Sequence, residues 1–276
     1  MNRKQKIYDC FMFNGENHIL EIRFNLLDKY VDYFVIVESN ISHSGVRKKN
    51  LFKINKYKKF KKKIRYILVK DMPKNPKGFH YNKVWWHKNH ERDQHQRRQI
   101  LKGLDDAKPH DIILVSDVDE IPNLKKINFK KINKLVVCEQ LNLRYKFNLI
   151  CGYEPIWQGT RILKRKYLKD VQSVRNTYKK KCKPWQLVKM LLNPTTIKHC
   201  GWHFSWVLSP QNIKKKIENS AHGELNKKKF KNINTIKQKL KNKDDLFIDN
   251  KLIELKNYKL LPNFLLKKKF DNFFYH

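Results

Sequence analysis

Short apolar runs and amphipathic stretches alternate along the first half of the chain. Nearly continuous apolar residues occur in four short runs, at 7–13, 31–38, 64–69 and 111–116. Runs of this length are typical of strands covered on both faces, as in a parallel sheet. Between the first two runs, residues 17–29 have helical periodicity, with Leu20, Phe24 and Leu27 on one face. The alternation predicts an α/β fold in which helices flank a central, mostly parallel sheet.

The pattern is less regular after residue 122. Three further runs predict strands of antiparallel hairpins: 135–141, 144–150 and 160–168. We expect loops over 172–195 and a strand over 196–207 that a glycine interrupts. Ser209 and Pro210 are a typical N-cap and first residue of a helix. The aromatic tail, 260–276, is expected to dock on the body of the protein.

Length and composition limit the class of protein. The 276 residues suit one domain with appendages. No run of eighteen apolar residues occurs, and the first residues lack the apolar core of a signal peptide, so neither a transmembrane anchor nor secretion is predicted. The five cysteines are odd in number and form no CxxC pair, which indicates a reducing, cytoplasmic location.

The charge of the chain is strongly positive. Its 62 basic residues exceed its 25 acidic residues by 37, and lysine outnumbers arginine 51 to 11. Such a charge favours anionic partners. Because arginine forks are the usual tool for specific phosphate and base recognition, the lysine excess indicates a largely compositional charge, and we expect no specific nucleic acid. Residues 48–63 mix lysines with aromatics as stacking platforms do, so a basic nucleic-acid-binding protein is the alternative.

An apolar strand runs directly into three carboxylates in the segment IILVSDVDEIP, residues 112–122. These carboxylates belong to Asp117, Asp119 and Glu120. Ligand sites in open α/β sheets lie beyond the carboxyl ends of the strands. Two carboxylates spaced i, i+2 at such an end can share Mg²⁺ or Mn²⁺. The competing interpretation is a solvated acidic turn.

Two further polar segments are candidates for chemistry. The helix predicted over 85–104 carries Arg97, which would suit a diphosphate. A solvated helix with an Asp93–Arg97 pair is an equal alternative. The motif GWHFSW, residues 201–206, sets His203 between two tryptophans. This histidine is a candidate metal ligand or acid–base group, or else a satisfied core residue.

Together these segments resemble glycosyltransferase family 17, the family of the β-1,4-mannosyl-glycoprotein β-1,4-N-acetylglucosaminyltransferase. The matching segments are collinear and span almost the whole chain: YDCFMFNGENHILEIRFNLL, VDYFVIVESNISHSG, QRRQILKGL, DIILVSDVDEIP, WQGTR, GWHFSWVLSPQNIKKKI and LPNFLLKKKFDNFFYH. The resemblance implies a GT-A-like fold, a nucleotide-sugar donor and inversion at the anomeric carbon. It favours UDP-GlcNAc as the donor.

The resemblance also implies roles at the matching positions. Asp117 and Asp119 correspond to the DxD motif that holds Mn²⁺ or Mg²⁺ against the donor diphosphate. His203 is the candidate for a further metal ligand from a late segment, and His222 is the second. Glu38 and Ser39, at the end of the second predicted strand, would line the nucleotide pocket.

Two roles remain to be assigned. Arg97 and Asp117 would reach the phosphates or sugar of the donor. A carboxylate must remove the proton from the acceptor hydroxyl. We rank Glu154, in the loop CGYEPIWQG, first for this role. Glu120 and Glu224 are the other candidates.

The expected organisation is a single glycosyltransferase domain over 1–276. A nucleotide-sugar-binding half, 1–122, ends in the DxD motif. An acceptor-binding and metal-completing half, 123–224, follows it, and a basic helix and aromatic tail occupy 225–276.

The partners are predicted from the same resemblance. Animal members of the family carry a membrane anchor and act on N-glycans, which this basic, anchor-free chain is not expected to do. We expect a polysaccharide, lipid-linked or surface-glycan acceptor, with peripheral contact at the inner face of an anionic membrane. A catalytically inactive glycan-binding protein on the same fold is a further alternative.

Overall fold

The computed structural model describes residues 5–81, 84–177 and 194–276. Its strands are β1 (Ile7–Met12), β2 (Tyr33–Ser39), β3 (Ile64–Val69), β4 (Phe79–Tyr81), β5 (Val84–Trp86), β6 (Ile112–Asp117), β7 (Glu120–Pro122), β8 (Val136–Arg144), β9 (Leu149–Cys151), β10 (Ile156–Lys164), β11 (Thr195–Ile197), β12 (Gly201–Ser205) and β13 (Leu252–Glu254). Its α-helices are α1 (Asn17–Leu27), α2 (Asn89–Arg98), α3 (Val171–Arg175), α4 (Pro210–Asn219), α5 (Lys228–Lys231) and α6 (Ile233–Lys241).

Most of the strands form one large sheet. Its main path runs β13-β9-β8-β10-β6-β1-β2-β3. Strands β11 and β12 pair with β8, and β7 pairs with β12. Strands β3, β2, β1 and β6 are mutually parallel. Beyond them β10 runs antiparallel, and β8 returns to the first direction. Among the described strands of this sheet only β7, β9 and β10 run in the opposite direction, which confirms the predicted α/β class with a mostly parallel central sheet.

Side-chain alternation along the parallel strands builds a core on each face of the sheet. In β2, Phe34 and Ile36 pack into one cluster and Val35 and Val37 into the other, and all four are fully buried. Successive residues of a strand point to opposite faces, so a nearly continuous apolar run fills both cores. Burial of each such side chain contributes roughly 1.5–3 kcal/mol.

The second half of the chain differs from prediction in the lengths of its elements. The strand predicted over 135–141 is longer in the structure, where β8 continues to Arg144. The strand predicted over 144–150 is shorter, and only β9 forms there. Tyr145 follows β8 with a φ of 65°, a turn conformation that ends the strand. Strand β10 starts four residues before the predicted Thr160. Ile156–Lys164 thus pairs with β6 and β8 over a longer edge.

Other predicted elements are confirmed or adjusted. Ser209 caps α4 by accepting a hydrogen bond from the backbone N–H of Asn212. The helix predicted to begin at Trp85 starts at Asn89, because the preceding residues form the β4–β5 hairpin. The predicted loop over 172–195 holds α3 at its start, and its residues 178–193, with Cys182, lie outside the described residues.

The C-terminal region packs onto the rest of the structure as expected. Phe270, Phe273 and Phe274 surround the buried ring of Phe147, with centroid separations of 5.7–6.2 Å. The predicted segments 1–122, 123–224 and 225–276 are joined through the sheet, since β6 pairs with β10 and β9 with β13. No helix in the described part of the chain has the length and apolar character needed to cross a membrane.

Candidate active site

The two most distinctive sequence motifs meet at the carboxyl end of the parallel strands. Asp117 is the last residue of β6, and Asp119 and Glu120 follow in the turn to β7. Strand β12 pairs antiparallel with β7, and this pairing sets His203 directly opposite Glu120. Glu120 of the acidic turn and His203 of the GWH motif, 83 positions apart in sequence, are therefore neighbours in one site.

A glycine permits this close approach of β12 to β7. Gly201 has a φ of +126°, which L side chains rarely adopt. A Cβ atom there would lie 2.2 Å from the carbonyl oxygen of Ile121 and 2.7 Å from the Cα of Pro122. A side chain at this position would push apart the strands that bring His203 to the acidic turn.

A buried arginine holds the backbone of the acidic turn, residues 117–120. Arg23, on α1, is fully buried and forms an ion pair with Asp9 of β1, at 2.5 Å. Its guanidinium also donates to Ser116 Oγ and to the backbone carbonyls of Asp117, Val118 and Glu120. These bonds hold the turn that carries the carboxylates in one conformation.

Two further arginines hold the first carboxylate of the motif. Arg97 Nη2 lies 3.2 Å from Asp117 Oδ1, and Arg175 Nη2 lies 2.9 Å from Asp117 Oδ2. Burial is outweighed by the positive charges of Arg175 and Arg97, which hold the pKa of Asp117 far below its usual range. Arg97 is itself oriented by Asp93 at 2.8 Å and Gln172 at 2.7 Å. Asp117 is thus permanently ionised and neutralised by arginine.

Glu120 is enclosed by donors from three directions. Its carboxylate accepts from Arg175 Nη2 at 2.5 Å, from the indole N–H of Trp157 at 2.6 Å and from the backbone N–H of Asp117 at 3.1 Å. The residue is fully buried. In this arrangement Glu120 joins α3, β10 and the acidic turn, and its proposed role as general base stays a prediction.

Asp119 has very different surroundings. Among the described residues, its carboxylate oxygens lie near His203 Nε2 at 3.8 Å and near Lys216 Nζ at 3.7 Å. Burial raises the pKa of Asp119 to about 7, and the negative charges of Asp117 and Glu120 add to this rise against the opposing charge of Lys216. This carboxylate therefore titrates near neutral pH.

His203 is buried and neutral beside Asp119. Burial and the positive charge of Arg175 lower the pKa of His203 to about 3, so its contact with Asp119 is not an ion pair at pH 7. The ring stacks on Trp157 with centroids 4.8 Å apart. Its Nδ1 is buried and has no hydrogen-bond partner among the described residues. A neutral imidazole of this kind is free to act as a metal ligand.

Lys216 completes the group on this side. This residue of α4 lies 3.4 Å from Glu16 Oε1 and 3.7 Å from Asp119 Oδ2. The two carboxylates outweigh burial and raise the pKa of Lys216, so its ammonium stays charged. It supplies part of the positive charge that this acidic pocket requires.

The chemistry of these donors fits a hard divalent cation. Asp119 offers a carboxylate with no close donor among the described residues, and His203 offers an unprotonated imidazole. Carboxylate oxygens with one imidazole suit Mg²⁺ or Mn²⁺. Asp117 fits less well as a direct ligand, because both of its oxygens already accept from arginines.

The predicted nucleotide residues at the end of β2 are deeply buried. The carboxylate of Glu38 accepts from the backbone N–H groups of Leu51 and Phe52, from Tyr66 Oη at 2.9 Å and from Lys48 Nζ at 3.3 Å. Glu38 thus anchors the basic segment that follows β2. Ser39 Oγ accepts from the backbone N–H of Ile41. Contact of either residue with a nucleotide stays a prediction.

The loop with Glu154 borders the site through its backbone. Asn142 lies opposite His203 in the pairing of β8 with β12, and its side-chain amide donates to the carbonyl oxygen of Glu154 at 2.8 Å. The predicted alternatives His222 and Glu224 lie elsewhere, after α4, where they bond to each other at 2.8 Å.

Sequence reasoning missed several residues that shape the site. The residues that were not predicted are Asp9, Glu16, Arg23, Arg175 and Lys216, together with the stacking of Trp157 on His203. One signal could have found the first pair. Asp9 interrupts an otherwise apolar strand, and a charge in such a position must be paired when it is buried. Arg23 lies on the apolar side of α1 for the same reason.

An α/β sheet with an arginine-held acidic turn at its carboxyl edge defines a protein with a polar ligand site at the ends of its strands. The family model of glycosyltransferase family 17 matches residues 1–261, and the chain belongs to that family. It is therefore a glycosyltransferase, with a sugar donor and a glycan acceptor.

Two other comparisons add little. No curated protein matches the chain. A crystal structure of 4-diphosphocytidyl-2C-methyl-D-erythritol synthase is similar to it at 15% identity, covering 71% of this chain and 90% of that chain with a TM-score of 0.40. Likeness at this level supports no inference about the site.

Proposed function

We propose that this glycosyltransferase has a GT-A-like fold and moves N-acetylglucosamine from UDP-GlcNAc to a glycan hydroxyl with inversion. The observation that carries the proposal is the contrast at the acidic turn. Asp117 is saturated by two arginines, whereas the adjacent Asp119 and His203 are buried without close donors among the described residues. Such a pair is suited to receive a charged ligand group.

Mn²⁺ or Mg²⁺ would be held by Asp119 and His203, with Asp117 supporting the site through its charge. Such an ion supplies charge neutralisation for a departing nucleoside diphosphate. The protein's own part is to fix the geometry. Arg23 holds the turn, and the stacked ring of Trp157 fixes the plane of the His203 imidazole.

Positive side chains would stabilise the donor diphosphate. Arg97 and Arg175 lie at the edge of the acidic turn, and Lys216 lies beside Asp119. Preorganised positive groups at a developing negative charge lower the barrier without reorganisation. Glu38 and Ser39 would contribute by holding the end of β2 and the following segment in place.

Glu154 is the proposed general base. Its loop is bonded to Asn142, which lies opposite His203, and this nearness to the site supports the proposal that the loop meets the acceptor. The carboxylate would take the proton of the acceptor hydroxyl as it attacks, which contributes about 10²- to 10⁴-fold in rate. Exposed Tyr153 and half-buried Trp157 flank this loop and would support a sugar ring.

The proposed setting is the cytoplasmic face of a membrane. The acceptor would be a polysaccharide, lipid-linked or surface glycan, and the many exposed lysines would attract the anionic surface at about 1 kcal/mol each. Binding to anionic vesicles should then fall steeply between about 50 and about 500 mM salt, and binding that persists at high salt would count against this contact.

A donor screen tests the proposal. Purified protein is incubated with a panel of nucleotide sugars with Mn²⁺ or with EDTA, and the released nucleoside diphosphate is measured. We expect metal-dependent release from UDP-GlcNAc and a thermal shift with UDP and Mn²⁺. Asp119→Ala should abolish both signals, whereas Asp249→Ala, on an exposed loop, should leave them unchanged. Metal-independent release, or release from another donor alone, would contradict the corresponding part of the proposal.

The role of Glu154 needs a separate measurement. Glu154→Gln should lower kcat in the presence of an acceptor by about 10²-fold or more. Donor and metal affinity should be unchanged, because the backbone contact with Asn142 is retained. An equal loss of UDP binding would show a structural role instead.

A further inference from the structure

Three side chains from two separate segments converge outside the site described above. His90 lies in the first turn of α2, and His222 and Glu224 lie in the short segment after α4. One ligand atom of each lies within 4.8 Å of the others. Within residues 5–81, 84–177 and 194–276, no other three His, Cys, Asp or Glu side chains are grouped so closely.

The arrangement of the three groups resembles a half-open metal site. His222 Nδ1 lies 2.8 Å from Glu224 Oε1, and the rings of His90 and His222 meet edge to face at 5.0 Å. His90 is 6% exposed, whereas about half of each of the other two side chains faces solvent. An ion bound here would be held from the protein side and would keep a position open for water.

A third histidine, His87, packs against the same segment. A Cβ atom at Gly223 would lie 2.2–2.7 Å from the ring of His87, so the ring covers the backbone between His222 and Glu224. His87 Nδ1 accepts from the backbone N–H of Asn89 at 3.2 Å. In the neutral ring this bond leaves the proton on Nε2, so His87 packs against the segment and does not offer Nε2 as a ligand atom.

The two segments are held together independently of any ion. Asn89 Nδ2 donates to the carbonyl oxygen of Ser220 at 3.1 Å. This bond joins the start of α2 to the end of α4, next to the three ligands. The donor atoms are therefore brought together by the fold, which reduces the entropy cost of binding an ion.

We propose that His90, His222 and Glu224 form a second metal site, specific for a zinc-class transition metal. Two imidazoles and one carboxylate, with water in the open position, suit Zn²⁺, whereas oxygen-rich sites suit Mg²⁺ and Ca²⁺. The donors differ from the carboxylate-dominated set around Asp119. The proposal does not depend on the donor or acceptor of the glycosyl transfer.

A metal at this position would connect the two sides of the acidic turn. Helix α2 carries Arg97, which pairs with Asp117 and is oriented by Asp93. Helix α4 carries Lys216, which lies beside Asp119. A bound ion would therefore link α2 to the end of α4, and the charged residues on these helices shift the pKa values of Asp117 and Asp119.

Metal titration of the full chain tests this site. Protein freed of metal with EDTA is titrated with Zn²⁺ by calorimetry and with Co²⁺ by visible absorption. We expect one tight Zn²⁺ site, a rise in Tm on binding, and Co²⁺ bands of a four- or five-coordinate ion. His222→Ala and Glu224→Gln each should weaken binding by about 100-fold or more, since even outer-shell partners of a metal contribute 10- to 100-fold.

Two control variants show whether the bound Zn²⁺ lies between α2 and the segment after α4. His110→Ala removes an exposed histidine that also lies beside a carboxylate, Asp111, at 3.7 Å, and it should leave binding unchanged. Asp119→Asn should also retain it. Zn²⁺ affinity that is equal in the wild type and His222→Ala, or lost in Asp119→Asn, would overturn the proposal. If His222→Ala fails to fold, His90→Gln serves as the second test of the same expectation.

Discussion

The two aspartates of the acidic turn are two positions apart and have opposite surroundings. Asp117 meets Arg97 and Arg175 at 3.2 and 2.9 Å. Asp119 meets a neutral histidine and a lysine at 3.8 and 3.7 Å. The pKa of Asp117 is held far below its usual range by arginine, whereas burial raises the pKa of Asp119 to about 7.

The two carboxylates of this motif therefore differ in how closely they are paired. A carboxylate that neutralises buried arginines holds its neighbours in place, and the protein is destabilised when one partner is removed. A buried carboxylate without such partners lowers stability when it ionises and gains most from an added cation. Asp119 is therefore the carboxylate that we propose for the metal, and the ion pairs of Asp117 hold the turn that carries it.

Asp117→Asn should cause the largest change in stability. The substitution removes the negative charge that lies between Arg97 and Arg175 and leaves both guanidinium groups partly uncompensated, so the free energy of unfolding should fall by about 3–5 kcal/mol. Urea denaturation measures it. Asp244→Asn, which breaks surface pairs with Lys239 and Lys251, is the matched control and should cost about 1 kcal/mol or less. Equal losses in the two variants would contradict the supporting role of Asp117.

Asp119→Asn should stabilise the protein near neutral pH, whereas Asp117→Asn destabilises it. Because the pKa of Asp119 is about 7 in the folded state and about 3.9 in the unfolded state, ionisation favours unfolding. The wild type should equal the variant below pH 4 and lose stability relative to it as pH rises to about 7. The final difference is on the order of 2–4 kcal/mol.

The measurement is the unfolding free energy of both proteins from pH 4 to pH 8 in EDTA. Subtracting the variant removes the contributions that the two proteins share, His203 among them. Added Mn²⁺ should reverse the difference in the wild type alone. A difference that stays constant across this range would mean that Asp119 titrates normally.

Trp157→Phe should have an intermediate effect. Phenylalanine can keep the stacking on His203 but loses the N–H that donates to buried Glu120 at 2.6 Å. A buried acceptor that loses its donor costs about 1–3 kcal/mol. Trp202→Phe is the matched control, since its indole donates to the carbonyl of Leu260 at an exposed position. Thermal and urea unfolding should show a larger loss of stability for Trp157→Phe than for Trp202→Phe.

Lys216→Gln should have the smallest effect, seen in the pH dependence of metal binding. The ammonium lowers the pKa of Asp119, so its removal should raise the midpoint of Mn²⁺ binding by about one pH unit. Calorimetric titration with Mn²⁺ between pH 5 and pH 9 gives this midpoint. Lys215→Gln, on an exposed position of the same helix, should leave it unchanged. A midpoint that falls would show that Lys216 competes with the metal.

The sequence predicted the parts of the site that lie within one local segment. The apolar run from Ile112 predicts a buried strand that ends at the carboxylates, and the structure has its strand end at Asp117. Arg97 lies on the predicted helix and reaches the site. Glu38 was predicted at a strand end and is there, although donors from the following segment surround it.

Other parts could not be predicted because they depend on contacts between distant segments. The end of β8 at Arg144 and the approach of His203 to Glu120 follow from pairing among β7, β8 and β12. No local pattern indicates the distance between Asp117 and Arg175, which are 58 positions apart. Burial of a polar side chain is a property of the packed core, and no single segment determines it.

The sequence by itself determined the α/β class, the family resemblance and the position of the carboxylates at a strand end. The class and the strand end follow from local periodicity, which each segment carries alone, and the resemblance follows from the matching motifs. Only the tertiary structure decided which aspartate is neutralised by arginine and which has no close ion pair. That difference arises because the fold brings Arg97 and Arg175 to Asp117, and gives Asp119 only burial, a neutral histidine and one lysine within the described residues.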